Sequence, residues 1–175
     1  TDQLGPALGP STSFASFRRE IALSRDGLRV GFIAEIQGVG VVSGNNLGVF
    51  IHQSGSNTVQ VRTGVSGALG PGTGPLDTFS KFEALFGGVP VDVSTESIAL
   101  VGEARTSMGT RRGVWASSGA GSSAMAMSDT DGALGPQLGA GVQFIWFRQV
   151  ALLQNGEVVV EAIINPPSAN EGLWN

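Results

Sequence analysis

The chain has no cysteine, a single histidine (His52), a single lysine (Lys81), and charged residues at only 14% of its 175 positions. Each shortage excludes something. Without cysteine there is no disulfide framework and no thiolate metal site, a composition compatible with bacterial export. With one histidine, a Ser-His-Asp triad would have to pass through His52, and no Gly-x-Ser-x-Gly elbow accompanies it. Zinc would be left with carboxylates, which suit it poorly. His52 is therefore expected to be a strand residue with an ordinary hydrogen bond. Net charge is −4, so the basic stripe of a nucleic-acid binder is missing. Arg18-Arg19 and Arg111-Arg112 read as solvated strand edges. No apolar run is long enough for a membrane-spanning helix. The chain opens at Thr1 without a signal peptide, as expected of a processed or excised polypeptide.

Glycine, in contrast, is abundant: 27 residues, with 8 prolines and 41% apolar content. The glycines keep no three-residue period, which excludes collagen. Much glycine, many apolar residues and no long helical pattern predict short strands joined by tight turns.

A 65-residue phrase organises these strands. Leu4-Gly5-Pro6, Leu69-Gly70-Pro71 and Leu134-Gly135-Pro136 recur at intervals of 65. Eight positions after each proline comes a phenylalanine pair: Phe14 and Phe17, Phe79 and Phe82, Phe144 and Phe147. Each phrase closes on glycine, aliphatic, aromatic: Gly48-Val49-Phe50, Gly113-Val114-Trp115, Gly172-Leu173-Trp174, the last six residues early. Such self-similarity marks an internal repeat. The chain reads as a single domain, 1–175, of three repeats covering 1–65, 66–130 and 131–175.

In the first repeat, Asp26-Gly27 signals a hairpin, because glycine accepts positive φ. The strand that follows, 28–36, puts Val30, Phe32, Ala34 and Ile36 on one face. Further strands are expected at 49–53 and 58–62, the latter with Val59 and Val61 inward and Thr58, Gln60 and Arg62 outward. The second repeat has counterparts at 98–104, 112–116 and 123–127. Phe79, Phe82 and Phe86 stand at helical spacing, but the counterpart stretch 142–153 is rich in strand formers, which favours a strand with a bent start. The third repeat is expected to run 142–153, turn at Asn155-Gly156, return over 157–164 and loop at Pro166-Pro167. Nothing after Trp174 answers to the fourth strand, so this repeat is one strand short.

The expected fold class is all-β: three tandem antiparallel units of about four short strands, like propeller blades. A closed pseudo-threefold trefoil or prism is the alternative. A unit this small cannot bury its own apolar face, so neighbours must cover it. Three units fall short of an ordinary propeller. Contacts with other protein chains, in a homo-oligomer or a larger assembly, are expected to complete it. Phe14, Phe17, Phe50, Phe79, Phe82, Trp115, Phe144, Phe147 and Trp174 form the expected repeat core.

The segments Gly156-Glu157-Val158-Val159-Val160-Glu161-Ala162, 98–102 and 113–119 resemble a group of bacterial exported tandem-repeat proteins. That group has an Asn-x-x-Gly-x-x-Ala-Phe motif and a "choice-of-anchor" C-terminus. Here Leu153 stands in place of the motif asparagine, and no anchor segment is expected within these 175 residues. The resemblance implies a secreted or surface-displayed, propeller-like protein and carries no catalytic residues with it.

Candidate sites are few. Asp129 and Asp131 begin like a calcium loop, but Ala140 stands where the bidentate glutamate belongs, leaving at most a surface calcium candidate. Gly38-x-Gly40 has the wrong spacing for a dinucleotide fingerprint. No carboxylate pair is distinguished, and no cofactor is called for. Trp115 and Trp174 share the repeat position of Phe50 and belong to the core. Trp146 lies where the other repeats have Ser16 and Lys81, so Trp146, with Arg148, is the candidate ligand or partner contact. The expected function is a non-catalytic structural or assembly protein of the bacterial surface or extracellular space. A carbohydrate- or ligand-binding module is the alternative.

Overall fold

A computed structural model describes residues 5–9, 11–24, 26–83, 97–118, 121–153, 157–165 and 171–175. Among them there is no α-helix. The first sheet contains β1 (Thr12–Leu23), β2 (Arg29–Gly38), β3 (Leu47–Gln53) and β4 (Ser56–Arg62). The second contains β5 (Thr78–Glu83), β6 (Ile98–Thr106), β7 (Gly109–Ser118) and β8 (Gly121–Met127). The third contains, among the described residues, the three strands β9 (Gln143–Leu152), β10 (Val158–Asn165) and β11 (Glu171–Trp174). Every sheet is an antiparallel meander whose strands lie in sequence order, and none closes into a barrel. The expected hairpin at Asn155-Gly156, the loop at Pro166-Pro167 and Phe86 lie outside the described residues.

The spacing of the phenylalanine pairs has a local cause. In a regular strand, residues three apart point to opposite faces. Here one extra residue interrupts each first hairpin, between Phe14 and Ser16, between Phe79 and Lys81, and opposite the step from Ile163 to Ile164. The extra residues Ala15, Ser80 and Ile145 are again 65 apart. A β-bulge resets the alternation, so both members of a pair reach the same face. What looks like helical spacing is thus a bulged strand.

The glycine-x-aromatic phrase also has a steric reason. A Cβ on Gly48 would lie 2.7 Å from the Phe50 ring, on Gly113 2.8 Å from the Trp115 ring, and on Gly172 2.6 Å from the Trp174 ring. Each ring folds back over the bare backbone two residues earlier.

The sheets stack face to face. One core joins Ile33, Val49, Ile51 and Val61 of the first sheet to Phe79, Phe82, Leu100 and Trp115 of the second. Another joins Val101, Val114 and Ala126 on the opposite face of the second sheet to Phe144, Phe147, Val160 and Ala162 of the third. Among the described residues no core cluster combines the first sheet with the third, so the closed pseudo-threefold alternative is not adopted. Backbone links fix the stacking: Thr63 bridges Phe79, and Ser128 bridges Phe144, each in parallel.

Two expectations need correction. Val59 and Val61 do not share a face: Val61 enters the core between the first two sheets, and Val59 packs on the outer side of the first. A bulge opposite the Val49–Phe50 step causes this, and it leaves Gln60 buried at the seam rather than outward. Phe17 is also not core. It is 63% exposed, whereas its counterparts Phe82 and Phe147 are 8% and 0% exposed. The second and third sheets have a preceding sheet to cover their aromatic face, and the first has none among the described residues.

Candidate functional site

The aromatic face of the first sheet has the same internal geometry as its two buried counterparts. Phe14 meets Phe50 edge-on at 5.0 Å, Phe79 meets Trp115 at 5.0 Å, and Phe144 meets Trp174 at 5.1 Å. Phe17 and Phe32 extend the first cluster, with Phe32 stacked on Phe50 at 5.5 Å. Among the described residues outside the sheet, Leu8 and Val41 pack partly against this side. What remains is an open groove of about 360 Å³, walled by Phe14, Phe17, Ile21, Val30 and Phe32, with Arg18, His52 and Asn57 as its polar lining.

The polar lining is already engaged. His52 Nδ1 lies 2.9 Å from Asn57 Oδ1, the ordinary hydrogen bond expected of it. The Asn57 amide in turn donates to the Gly5 carbonyl at 3.1 Å, tying the N-terminal segment to the end of β3–β4. Arg18 is ion-paired with Glu35. No nucleophile is aligned with a base here, and among the described residues no group of three or more His, Asp or Glu side chains could hold a metal. Aromatic and aliphatic surface is what this groove offers, and burying it is what it can do.

Trp146 sits in a different setting. The Arg112 guanidinium, from the second sheet, lies 3.3 Å from its ring centroid, a cation–π contact across the seam between the second and third sheets. Arg112 is also paired with Glu83, and Lys81 bridges Glu83 at 3.1 Å and Glu103 at 3.3 Å. Burial pushes the Arg112 guanidinium below its usual pKa. Trp146 is therefore a contact between sheets on one ring face, while 49% of the residue stays exposed. Arg148 turns to Glu161, 3.7 Å away.

The calcium candidates are separately employed. Asp129 lies 3.7 Å from Arg111, and Asp131 accepts a hydrogen bond from the Gln143 side chain at 3.1 Å. The sequence pattern did not single out Ile21, which is 60% exposed and lines the groove.

A family model described as a family of unknown function, DUF7453, matches residues 5–175, and the chain belongs to that family. No curated protein and no solved structure matches the chain.

Proposed function

We propose that this DUF7453 chain is a non-catalytic assembly protein of the bacterial surface or extracellular space. It is built from tandem sheet units and acts through protein contacts at the uncovered aromatic face of its first sheet, in a homo-oligomer or a larger assembly. One observation carries this reading: Phe17 is 63% exposed at a position where the equivalent rings, Phe82 and Phe147, are covered by a neighbouring sheet. A contiguous exposed patch of this kind marks an interaction surface. The lack of cysteine and the likeness to exported repeat proteins support the extracellular placement. For the alternative, glycan binding, the candidate platform Trp146 has one ring face taken by Arg112, which favours the protein-contact reading.

The test is a photo-crosslinking p-benzoylphenylalanine at position 21, introduced in the cells that make the protein. Protein adducts are expected from position 21 and not from position 173. Absence of protein adducts from position 21 would overturn the reading. A glycan-array signal that disappears with Trp146→Ala would replace it with the carbohydrate-binding one.

A further inference from the structure

We propose that the second repeat carries a binding site for a primary alkylammonium group, separate from the aromatic face and independent of what covers that face. The site is a pocket of about 400 Å³, walled by the loop 72–77 that leads into β5, the turn between β6 and β7, and β8. The loop is drawn tightly onto β8. Gly72 sits at a φ of +65°, and a Cβ there would lie 2.1 Å from the Ser122 carbonyl oxygen. The equivalent positions in the other repeats hold Ala7 and Gln137, so this close approach belongs to the second repeat.

The chemistry of the pocket centres on Asp77, which lines it and is only 7% exposed. The Thr73 hydroxyl donates to one oxygen of its carboxylate at 2.6 Å. Among the described residues no donor reaches the other oxygen, and no Arg, Lys or His is ion-paired with it. A buried carboxylate without a cation is costly to desolvate, and a cation brought to it offsets that cost. The loop itself does not require the acid. The first and third repeats have Leu8 and Leu138 in place of Thr73, and Thr12 and Val142 in place of Asp77. There, Leu8 and Val142 pack against the aromatic clusters of their own sheets.

The rest of the lining decides which cation fits. Ser107 and Ser123 add hydroxyl acceptors, and Met108 and Met127 add apolar surface. An ammonium has three N–H donors, so it can bond the open Asp77 oxygen and the hydroxyls together. Its alkyl stem then lies along the two thioethers. A guanidinium seeks both oxygens of a carboxylate, and Thr73 already engages one. A metal ion is poorly served, because Asp77 is the one carboxylate of the lining.

The three methionines give a site-resolved test: Met108 and Met127 line this pocket, and Met125 does not. In the full chain labelled with carbon-13 at the methionine methyls, hexylamine should move the Met108 and Met127 signals saturably and leave Met125 in place. Hexanol, the same stem without the charge, should bind about 30-fold more weakly or worse, as should hexylamine to Asp77→Asn. The asparagine oxygen still accepts from Thr73, so that variant keeps the loop, and the hexanol comparison needs no variant at all. Saturation by Nα-acetyl-lysinamide as well would identify a protein lysine as the source of the group. Its failure beside hexylamine binding would identify a free amine, and both results uphold the ammonium site. No saturable shift up to about 10 mM, equal binding of hexanol, or unchanged binding to Asp77→Asn would overturn it. The assembly reading is decided separately, by the cross-links from position 21.

Discussion

The sharpest consequence of the stacking concerns three phenylalanines at equivalent positions, Phe17, Phe82 and Phe147. Phe82 fills the seam between the first and second sheets and Phe147 that between the second and third. Truncating a buried phenylalanine to alanine removes its transfer free energy and leaves a cavity, at a cost of about 3–5 kcal/mol. Phe17 is 63% exposed, so only about a third of its surface is withheld from water in the single chain. Full burial of such a side chain is worth about 1.5–3 kcal/mol, so Phe17→Ala should cost about 0.5–1 kcal/mol. The expected gap is about 2–4 kcal/mol between residues that the sequence pattern treats as the same. Urea unfolding followed by tryptophan emission, at a concentration low enough to keep the chain monomeric, measures it. Trp115, edge-on to Phe79 at 5.0 Å, reports on the first seam. Equal costs for Phe17→Ala and Phe82→Ala would refute the stacking order.

Three further outcomes follow from particular contacts. Gly113→Ala places a methyl 2.6 Å from the Ala126 carbonyl and 2.8 Å from the Trp115 ring, and should cost about 1–3 kcal/mol. Gly44→Ala, with open space around its Cβ, should be near neutral, and thermal unfolding compares the two. A double-mutant cycle of Arg112→Met and Trp146→Leu should return a coupling of about 0.5–2 kcal/mol for the cation–π contact; a coupling of zero would place Arg112 elsewhere. The Asp26 carboxyl accepts from the Ser24 hydroxyl at 2.6 Å and from the Leu28 amide at 3.0 Å, and these bonds hold its pKa below the usual value. Because the native pKa is the depressed one, its contribution is complete above about pH 4 and is lost as pH falls through the lowered native value. Asp26→Asn should therefore flatten stability against pH in that acid window and leave the neutral range parallel to wild type.

Much of the fold was legible because short-range chemistry recurs at a fixed interval. The Phe-x-x-Phe and Gly-x-aromatic phrases each correspond to one device, a bulge and a ring folded over glycine. Their 65-residue spacing reappears as bulges at Ala15, Ser80 and Ile145. The bulges themselves were not legible, and this produced the misassignment of Gln60. Strict alternation puts Gln60 outside, whereas one inserted residue turns it into the seam, where its backbone carbonyl accepts from Ser117 at 3.2 Å. Ile33 was passed over for a related reason. Reading the Phe32 face of β2 as core leaves the other face to solvent, but it is that other face, with Ile33, that packs on the second sheet. The site was harder still. Phe17 carries the same local sequence signal as Phe82, and its exposure depends on which sheet lies alongside, a property of stacking order that no local pattern encodes. Trp146 stands out in the sequence as an aromatic at a polar position, and the contact it makes is with Arg112, 34 positions away in sequence.

The central claim is that three sheets stack in order and that, among the described residues, no other sheet covers the first aromatic face. Fluorine NMR of the dilute chain labelled with 4-fluorophenylalanine, with a soluble paramagnetic agent added, tests it most directly. Strong broadening at position 17 with sharp signals at 82 and 147 is the predicted result. Equal protection of all three rings would contradict it.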